Sequence, residues 1–408
     1  MALASLALGV CGAPAAEVAQ TWPQWRGPNR DAQAPAAPAW PDDLKGLERV
    51  WRIELGSSYS GPIISADRIF TTESVKDEFE AVHALDRATG KEIWKTQWKG
   101  SMDVPFFAAR NGDWIRATPA FDGQALFVAG MRDVLVCLEA ADGKERWRID
   151  FAEKYGTGVP AFGFVPSPLV DGEFVYAQAA DSFVKLKKSS GEVVWRALDE
   201  KPGSMTDDGG FSSPVIATIG GVRQVVVQTR RELCGLNPES GAVLWRKDVP
   251  SFRGCNILTP TIIGDDILTS TYQNKTFFYG IAREGEAWTV SDKWTSKGQG
   301  YMSSPVVIGK HAYLPLGNGR LVCLDLASGA ETWRTNKFGA YWSMIAKGDR
   351  VLALDETGEL VLFAANPAEF QLIDRRKIAE EECWAHLATA DRELAVRELK
   401  GLSLWRWK

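Results

Sequence analysis

A glycine that stands four residues before a tryptophan recurs along this chain and constrains its fold more than any other feature. The pairs are Gly90 and Trp94, Gly143 and Trp147, Gly191 and Trp195, Gly241 and Trp245, and Gly329 and Trp333. Each pair follows an apolar run and a turn rich in Asp, Asn or Ser. This pattern is typical of a tight β-hairpin whose glycine takes a positive φ and closes the turn with a bulge.

The repeat predicts units of four short strands. A proline opens the first strand of most units, where no ladder hydrogen bond has to be donated; these are Pro62, Pro119, Pro168, Pro214, Pro260 and Pro305. The tryptophans that close the units stand at positions 51, 94, 147, 195, 245, 294 and 333, so successive units are 39 to 53 residues long. This period matches one four-stranded blade of a β-propeller.

The two ends of the chain complement each other. The last unit, from Trp384 to Trp405, holds three strands, whereas Glu48–Ile53 looks like a closing strand with no blade before it. We therefore predict an all-β, eight-bladed β-propeller of four-stranded antiparallel blades, closed by pairing of the N-terminal strand with the C-terminal blade. A seven-bladed ring is the alternative.

Residues 1–15 resemble a signal peptide, with an apolar core at Leu6–Val10 and a small-residue cleavage pattern at Ala13–Ala15. The usual basic residue before the core is missing. We expect an exported protein, periplasmic or extracellular, and no apolar run is long enough to span a bilayer. A lipid anchor on Cys11 is a disfavoured alternative, because Val10 is bulkier than the residue such sites prefer.

Residues 16–46 differ in composition from residues 47–408, which we assign to the propeller. The segment is rich in Pro and Ala and contains the motif from Trp22 to Arg30 (WPQWRGPNR). Either the two tryptophans dock on the side of the propeller, or the motif is a partner-binding tag.

Composition excludes several classes of function. The net charge of −5 provides no basic surface for nucleic acid. Three histidines make a histidine-rich metal site improbable on composition, and the cysteines after the leader are scattered, without a CxxC motif. Cys137 and Cys323 occupy equivalent places in two repeats, and we interpret them as small buried strand residues.

The stretch from Ala84 to Lys91 (ALDRATGK), followed by an apolar strand with Trp94, resembles the pyrroloquinoline-quinone (PQQ) repeat family over about residues 47–408. The WPQWRGPNR motif is further similar to exported PQQ-like propellers of planctomycete-like bacteria. The family implies a propeller with one of two functions: a quinoprotein dehydrogenase with PQQ and Ca²⁺, or a non-catalytic scaffold such as the propeller lipoprotein of the outer-membrane barrel-assembly machinery.

The parts that the catalytic branch implies do not map onto this chain. It has no adjacent cysteines, and its acidic clusters, Asp207-Asp208 and Glu380–Glu382, match no calcium loop. His83 lies within an apolar strand pattern, where a core role is expected. We therefore predict no cofactor and no metal, and retain a PQQ- and Ca²⁺-dependent dehydrogenase as the alternative.

The loops that lead into the first strand of each blade predict the binding surface. The residues three before each opening proline would form an axial ring: Tyr59, Arg116, Val165, Phe211, Ile257 and Met302. The same loops carry many aromatic residues, which indicate a binding rim unless they only seal the loops onto the blades. The candidate binding residues are Tyr59, Trp114, Arg116, Phe211, Arg253, Asn256, Tyr301 and Trp342. The sequence thus predicts a binding or scaffold protein whose partner is a protein or a cell-envelope component.

Overall fold

The computed structural model describes residues 21–35, 40–76, 78–199 and 209–408. The predicted signal peptide and Cys11 lie outside these residues. Within them, the strands form eight four-stranded antiparallel sheets, as the repeat predicts. First strands of neighbouring blades contact each other at several junctions of the ring, so these strands surround a central channel.

The first strand of the chain is β1 (Leu47–Glu54). In each of the next four blades, the strands follow one another in chain order from the channel outwards. Blade 1 holds β2 (Ile63–Ile64), β3 (Arg68–Val75), β4 (Phe79–Asp86) and β5 (Glu92–Lys99); blade 2 holds β6 (Ala120–Phe121), β7 (Ala125–Gly130), β8 (Val134–Glu139) and β9 (Glu145–Asp150); blade 3 holds β10 (Leu169–Asp171), β11 (Phe174–Ala179), β12 (Ser182–Lys187) and β13 (Val193–Ala197); blade 4 holds β14 (Val215–Ile219), β15 (Val222–Gln228), β16 (Glu232–Leu236) and β17 (Val243–Asp248).

The second half of the ring repeats the arrangement, and β1 supplies the outer strand of the last blade. Blade 5 holds β18 (Thr261–Ile263), β19 (Asp266–Ser270), β20 (Thr276–Glu284) and β21 (Ala287–Ser296); blade 6 holds β22 (Val306–Ile308), β23 (His311–Pro315), β24 (Leu321–Asp325) and β25 (Glu331–Arg334); blade 7 holds β26 (Trp342–Lys347), β27 (Arg350–Asp355), β28 (Glu359–Ala364) and β29 (Gln371–Lys377); blade 8 holds β30 (Ala388–Ala390), β31 (Glu393–Glu398) and β32 (Gly401–Trp407). Helical turns occur in loops, as α1 (Phe151–Tyr155) and two 3₁₀ turns (Ala109–Asn111 and Phe252–Gly254).

The glycine–tryptophan repeat holds each blade to the next. Gly143 in blade 2 has a φ of +73°, and a Cβ atom built on it would lie 2.5 Å from the ring of Trp94 in blade 1. The same ring donates its Nε1 hydrogen to the carbonyl of Ala140, in the same turn, at 3.0 Å. Trp51, Trp147, Trp195 and Trp294 pack in the same way on the turn glycines of the blades that follow them.

Blade 5 lacks the glycine turn, and the tryptophan before it behaves differently. Trp245 donates its Nε1 hydrogen to Gln224 of its own blade at 2.6 Å, instead of to the turn of the following blade. Blade 7 also lacks the glycine, but Trp333 still donates its Nε1 hydrogen to the carbonyl of Asn366 in the turn of that blade at 2.8 Å.

Two pairings close the ring at the junction of blades 8 and 1. Strand β1 pairs with β32 from Leu47 opposite Trp407 to Glu54 opposite Gly401, as predicted. Arg87 of blade 1 crosses the same junction and donates to Glu393 at 2.6 Å and to Asp391 at 2.9 Å. Because the described residues form eight sheets, the seven-bladed alternative is wrong.

The WPQWRGPNR motif lies in the central channel. We call residues 22–34 the channel plug. Trp22 pairs through its backbone with Ile64 of blade 1, and Ala34 donates its amide hydrogen to Ala346 of blade 7 at 2.8 Å. Between these ends, Arg30 donates to the carbonyls of Ser167 and Pro168 in blade 3. A segment that contacts inner strands on several sides of the ring must lie between them.

This location corrects one prediction about the motif. Trp22 is 1% exposed and Trp25 donates its Nε1 hydrogen to Thr259 of blade 5 at 3.0 Å, so both rings dock on the propeller, but inside its channel and not on its side. Arg26 and Arg30 are buried with them. The alternative of an exposed partner-binding tag is wrong for the folded protein.

Candidate binding site at the channel mouth

Hydroxyl groups join the inner ends of the blades at the face where the interblade loops meet. Most residues that precede the opening prolines are Ser or Thr, and their hydroxyls accept backbone N–H groups of the neighbouring blade. The amide of Thr118 donates to Ser167 at 2.9 Å, and the amide of Ser167 donates to Ser213 at 2.9 Å. These buried bonds fix the loops that follow the outer strands, and so hold the mouth of the channel in one geometry.

The predicted axial ring lies around one cavity at this mouth. The cavity has a volume of about 370 Å³, within the range of small-ligand pockets. Its lining includes each of the six ring positions, namely Tyr59, Arg116, Val165, Phe211, Ile257 and Met302. Trp25 of the channel plug also lines it, so the plug forms part of the cavity wall.

An aromatic crescent runs along and behind the wall of the cavity, through six interblade loops and the turn between β19 and β20. Trp384 stacks on Tyr59 with ring centroids 4.6 Å apart, and Tyr341 lies 3.9 Å from Trp384 on the other side. The crescent comprises, in order, Phe252, Tyr272, Tyr301, Tyr341, Trp384, Tyr59 and Trp114. Rings in mutual contact form a rigid apolar wall.

A second row of rings leads from solvent into the cavity. Phe106 contacts Phe107 at 5.6 Å, Phe107 contacts Phe162 at 6.2 Å, and Phe162 contacts Phe211 at 5.4 Å. Phe106 is 90% exposed and Phe107 is 53% exposed, whereas Phe211 lines the cavity. A contiguous group of exposed aromatic rings is typical of an interaction surface.

The charged groups of the cavity are guanidinium groups. Arg116, Arg230 and Arg253 line it, and no Asp or Glu stands among the described lining residues. Burial lowers the pKa of Arg116 to about 10, and the nearby Tyr59 and Asp113 partly offset this, so the group stays charged at neutral pH. Arg230 lies 4.7 Å from the ring of Phe211, a cation–π contact.

The structure brings together five of the eight predicted binding residues. Tyr59, Arg116, Phe211, Arg253 and Tyr301 line the mouth cavity. Their role in binding remains a prediction.

The other three residues do not line the cavity. Trp114 packs behind Tyr59 at 5.2 Å. Asn256 is 1% exposed and its side chain donates to three backbone carbonyls, among them that of Val249 at 3.2 Å. Trp342 is 5% exposed in the core between blades 6 and 7, so its substitution would lower stability and could not test partner binding cleanly.

Sequence reasoning missed several contributors to the mouth, among them Tyr272 in the turn between β19 and β20. Arg230 comes from the turn between β15 and β16, Trp384 from the loop before β30, and Trp25 from the channel plug. Trp384 stands in the last interblade loop, so extending the loop rule to a blade without an opening proline would have found it. Arg230 and Trp25 carry no such signal, because their placement depends on the closed ring.

The mouth does not fit a calcium-held quinone. Calcium takes six to eight oxygen ligands, with carboxylates prominent among them, and those lining residues that the structure describes include no carboxylate. In the described part of the chain, no group of three or more His, Cys, Asp or Glu side chains lies close enough to hold a metal ion. Asp207 and Asp208 lie outside the described residues, while Glu381 and Glu382 bond to Lys400 and Tyr59.

Comparison with known proteins identifies the family. Residues 78–335, more than half of the chain, match the family described as outer membrane protein assembly factor BamB. The chain belongs to that family. It is 21% identical to the assembly factor BamB of Yersinia pestis over 320 residues, which is 77% of this chain and 67% of that protein.

Another relative matches a smaller part of the chain. The chain is 27% identical to the serine/threonine-protein kinase AfsK of Streptomyces griseus over 181 residues, which cover 43% of this chain and 20% of the kinase. Because the chain spans about a fifth of that relative, the kinase's name carries no argument about this protein.

Solved structures of a BamB and of a quinohemoprotein alcohol dehydrogenase share the propeller fold with this chain. BamB of Moraxella catarrhalis has a TM-score of 0.62 at 15% identity, covering 88% of this chain and 99% of that one. The quinohemoprotein alcohol dehydrogenase of Comamonas testosteroni has a TM-score of 0.64 at 13% identity, covering 95% and 80%. At such identities the likeness shows the fold alone.

No helix in the described ranges is long and apolar enough to cross a membrane.

Proposed function

We propose that this chain is a non-catalytic, exported propeller that binds a protein or another cell-envelope component at its channel mouth. The observation that carries the proposal is the mouth cavity itself, with its aromatic walls, its guanidinium groups and its lack of carboxylates among the described lining residues. The exposed rings of Phe106 and Phe252 extend the same surface outside the cavity.

Membership of the BamB family supports a role as a scaffold. Export rests on the apolar, uncharged character of residues 1–15 and on the outer-membrane function in the name of the family. The partner contacts the rim and leaves the eight outer strands free.

A photo-crosslinking amino acid placed at Phe106 tests this proposal in cells that express the full chain. The control position is Val194 on the outer strand β13, which is 41% exposed and distant from the mouth in the fold. We expect crosslinks from position 106 to one partner whose crosslinked peptide is identified by mass spectrometry, and none to that partner from position 194. Equal crosslinking from both positions, or none from position 106, would contradict the proposal.

The dehydrogenase alternative has its own test. Calorimetric titration of purified residues 16–408 with PQQ, with and without Ca²⁺, should show no calcium-dependent binding, because the mouth offers no carboxylate ligands in the described residues. Calcium-dependent binding at micromolar concentration would revive the enzymatic function, and the next experiment would be a dye-coupled alcohol assay.

A further inference from the structure

The mouth cavity has a charge opposite to that of the whole chain. The protein carries a net charge of −5, whereas the formal charges among the described lining residues are those of three arginines. Among the described residues, no carboxylate lies within 4.0 Å of the guanidinium group of Arg116 or Arg253, although Asp113 is near enough to Arg116 to raise its pKa. A ligand with negative charge is therefore attracted to the mouth and is disfavoured elsewhere on an acidic surface.

The geometry of Arg116 is set before any ligand arrives. Its Nη2 donates to the carbonyl of Gly112 at 2.8 Å and its Nε to the carbonyl of Trp114 at 3.2 Å. Arg230 is held in a similar way by the carbonyl of Arg253 at 2.7 Å and by the ring of Phe211. Because these groups are already ordered, binding of a carboxylate loses little side-chain entropy.

The aromatic groups extend beyond the volume that a small molecule would fill. The cavity of about 370 Å³ suits one aromatic side chain with its flanking backbone. Phe106 lies in the loop between blades 1 and 2, Phe252 lies in the loop between blades 4 and 5, and both are exposed, at 90% and 45%. These two loops are three blades apart, so a ligand that contacts both rings has to cross the mouth, as an extended chain can.

We propose that the mouth binds an extended acidic peptide segment, which inserts an aromatic side chain into the cavity and places neighbouring carboxylates against Arg116 and Arg253. This inference rests on the proposed function and adds the chemical class of the partner segment. The wall of Trp384 and Tyr59 receives the inserted ring, and Phe106 and Phe252 cover the chain on either side of it.

Fluorescence anisotropy with a labelled heptapeptide tests the inference on the full chain. The probe has one phenylalanine between two aspartates, flanked by glycine and serine. We expect saturable binding with a Kd below about 100 µM, which weakens as salt is added because the contacts are ionic. A peptide with lysines in place of the aspartates, and one with alanine in place of the phenylalanine, should bind at least about tenfold more weakly.

Variants of the protein separate the mouth from the remaining surface. Arg253→Gln and Arg116→Gln should each weaken binding about tenfold, which is the usual effect of losing a hydrogen bond to a charged group. Arg253→Gln is the safer variant, since the side chain of Arg116 also supports its own loop. The matched control is Arg246→Gln on the outer strand β17, which should change affinity less than twofold.

Three results would overturn the inference. The first is no binding of the aspartate peptide at about 1 mM, and the second is equal binding of the lysine peptide. The third is binding of N-acetylphenylalanine as tight as that of the peptide together with no effect of Phe106→Ser, which would point to a small aromatic carboxylate. If crosslinks from position 106 persist in any of these cases, the proposed function stands and only the ligand class is wrong.

Discussion

At the scale of single residues, the structure explains why the repeat keeps a glycine. Gly90, Gly143, Gly191, Gly241 and Gly329 have φ values of +72° or +73°, and each is covered by a tryptophan ring of the blade before it. Two requirements therefore meet at one position: the backbone is left-handed, and the space for a Cβ atom is filled by the indole. The residue is selected by its turn and by the neighbouring blade together.

Replacing one of these glycines should separate the two requirements. Gly143→Ala is expected to lower the free energy of unfolding by about 2–4 kcal/mol, from backbone strain and from displacement of Trp94. Gly264→Ala is the control, because Gly264 has a φ of +62° with nothing within 4 Å of a built Cβ atom. It should lose only about 1 kcal/mol by urea denaturation. Equal losses in the two variants would show that the contact with the tryptophan is unimportant.

A buried carboxyl between blades 1 and 2 should make stability depend on pH. Glu80 is fully buried, and accepts the amide of Met131 at 2.7 Å and the Nε1 hydrogen of Trp98 at 2.9 Å. Burial raises its pKa from 4.5 to about 7, although these hydrogen bonds and two nearby arginines oppose the shift. The folded protein therefore holds a proton that the unfolded chain has lost between these two pH values.

The free energy of unfolding should therefore decrease as the pH rises between these two values. The contribution of Glu80 is fully present below about pH 4.5 and declines as the pH rises to about 7, by roughly 3 kcal/mol in total. Glu80→Gln should remove this slope from the pH dependence of the unfolding free energy, whereas Glu369→Gln on the surface should retain it. A slope unchanged in Glu80→Gln would contradict the assignment.

At the scale of elements, the channel plug connects the inner strands of several blades to one another. It lacks regular secondary structure apart from isolated bridges to Ile64 and Ala346, so side chains carry much of its attachment. Arg30 is the clearest case, because its guanidinium donates to Pro168 at 2.7 Å and to Ser167 at 3.0 Å while 2% exposed. Burial, together with the charge of Arg26, lowers its pKa to about 9, and it remains charged at neutral pH.

Removal of this attachment should destabilise the ring. Arg30→Met leaves the carbonyls of Ser167 and Pro168 without their donor, and should cost about 2–4 kcal/mol in chemical denaturation. Asn29→Ala, at an exposed position of the same turn, should change stability by less than about 0.5 kcal/mol. A stabilised Arg30→Met protein would instead mean that the desolvation of the guanidinium outweighs its hydrogen bonds.

At the scale of the whole molecule, closure depends on residues from the two ends of the chain. Strand β1 completes blade 8, and buried Arg397 of blade 8 donates to the carbonyl of Gly56 at 2.6 Å and to that of Thr72 in blade 1 at 3.2 Å. In a repeat protein each unit is stabilised mainly by its neighbours. An open junction would therefore expose two incomplete surfaces at once.

Two truncations distinguish the plug from the closing strand. A chain that lacks residues 1–35 loses the plug but keeps β1, whereas a chain that lacks residues 1–54 loses both. We expect the longer truncation to lose a further amount on the order of 5 kcal/mol, with a shallower urea transition, because β32 becomes an unpaired edge. Identical midpoints and slopes would show that closure of the ring contributes little.

Local pattern was sufficient to predict the eight blades, the four strands in each, the glycine turns and the pairing of β1 with β32. Strand period and turn chemistry depend on residues near each other in the chain, and they repeat often enough to be recognised. The same period placed Tyr59, Arg116, Val165, Phe211, Ile257 and Met302 at equivalent loop positions, so symmetry of the ring brings them to one cavity.

Only the tertiary structure decided where the plug lies, which blade each tryptophan contacts and which rim aromatics are buried. Trp342, at the start of β26, and Phe106, in a loop, both stand in aromatic stretches of sequence, yet they are 5% and 90% exposed. Trp25 and Arg230 reach the mouth from distant parts of the chain. These outcomes depend on contacts between segments far apart in sequence, which no local period encodes, whereas the fold of each blade depends on contacts between neighbours.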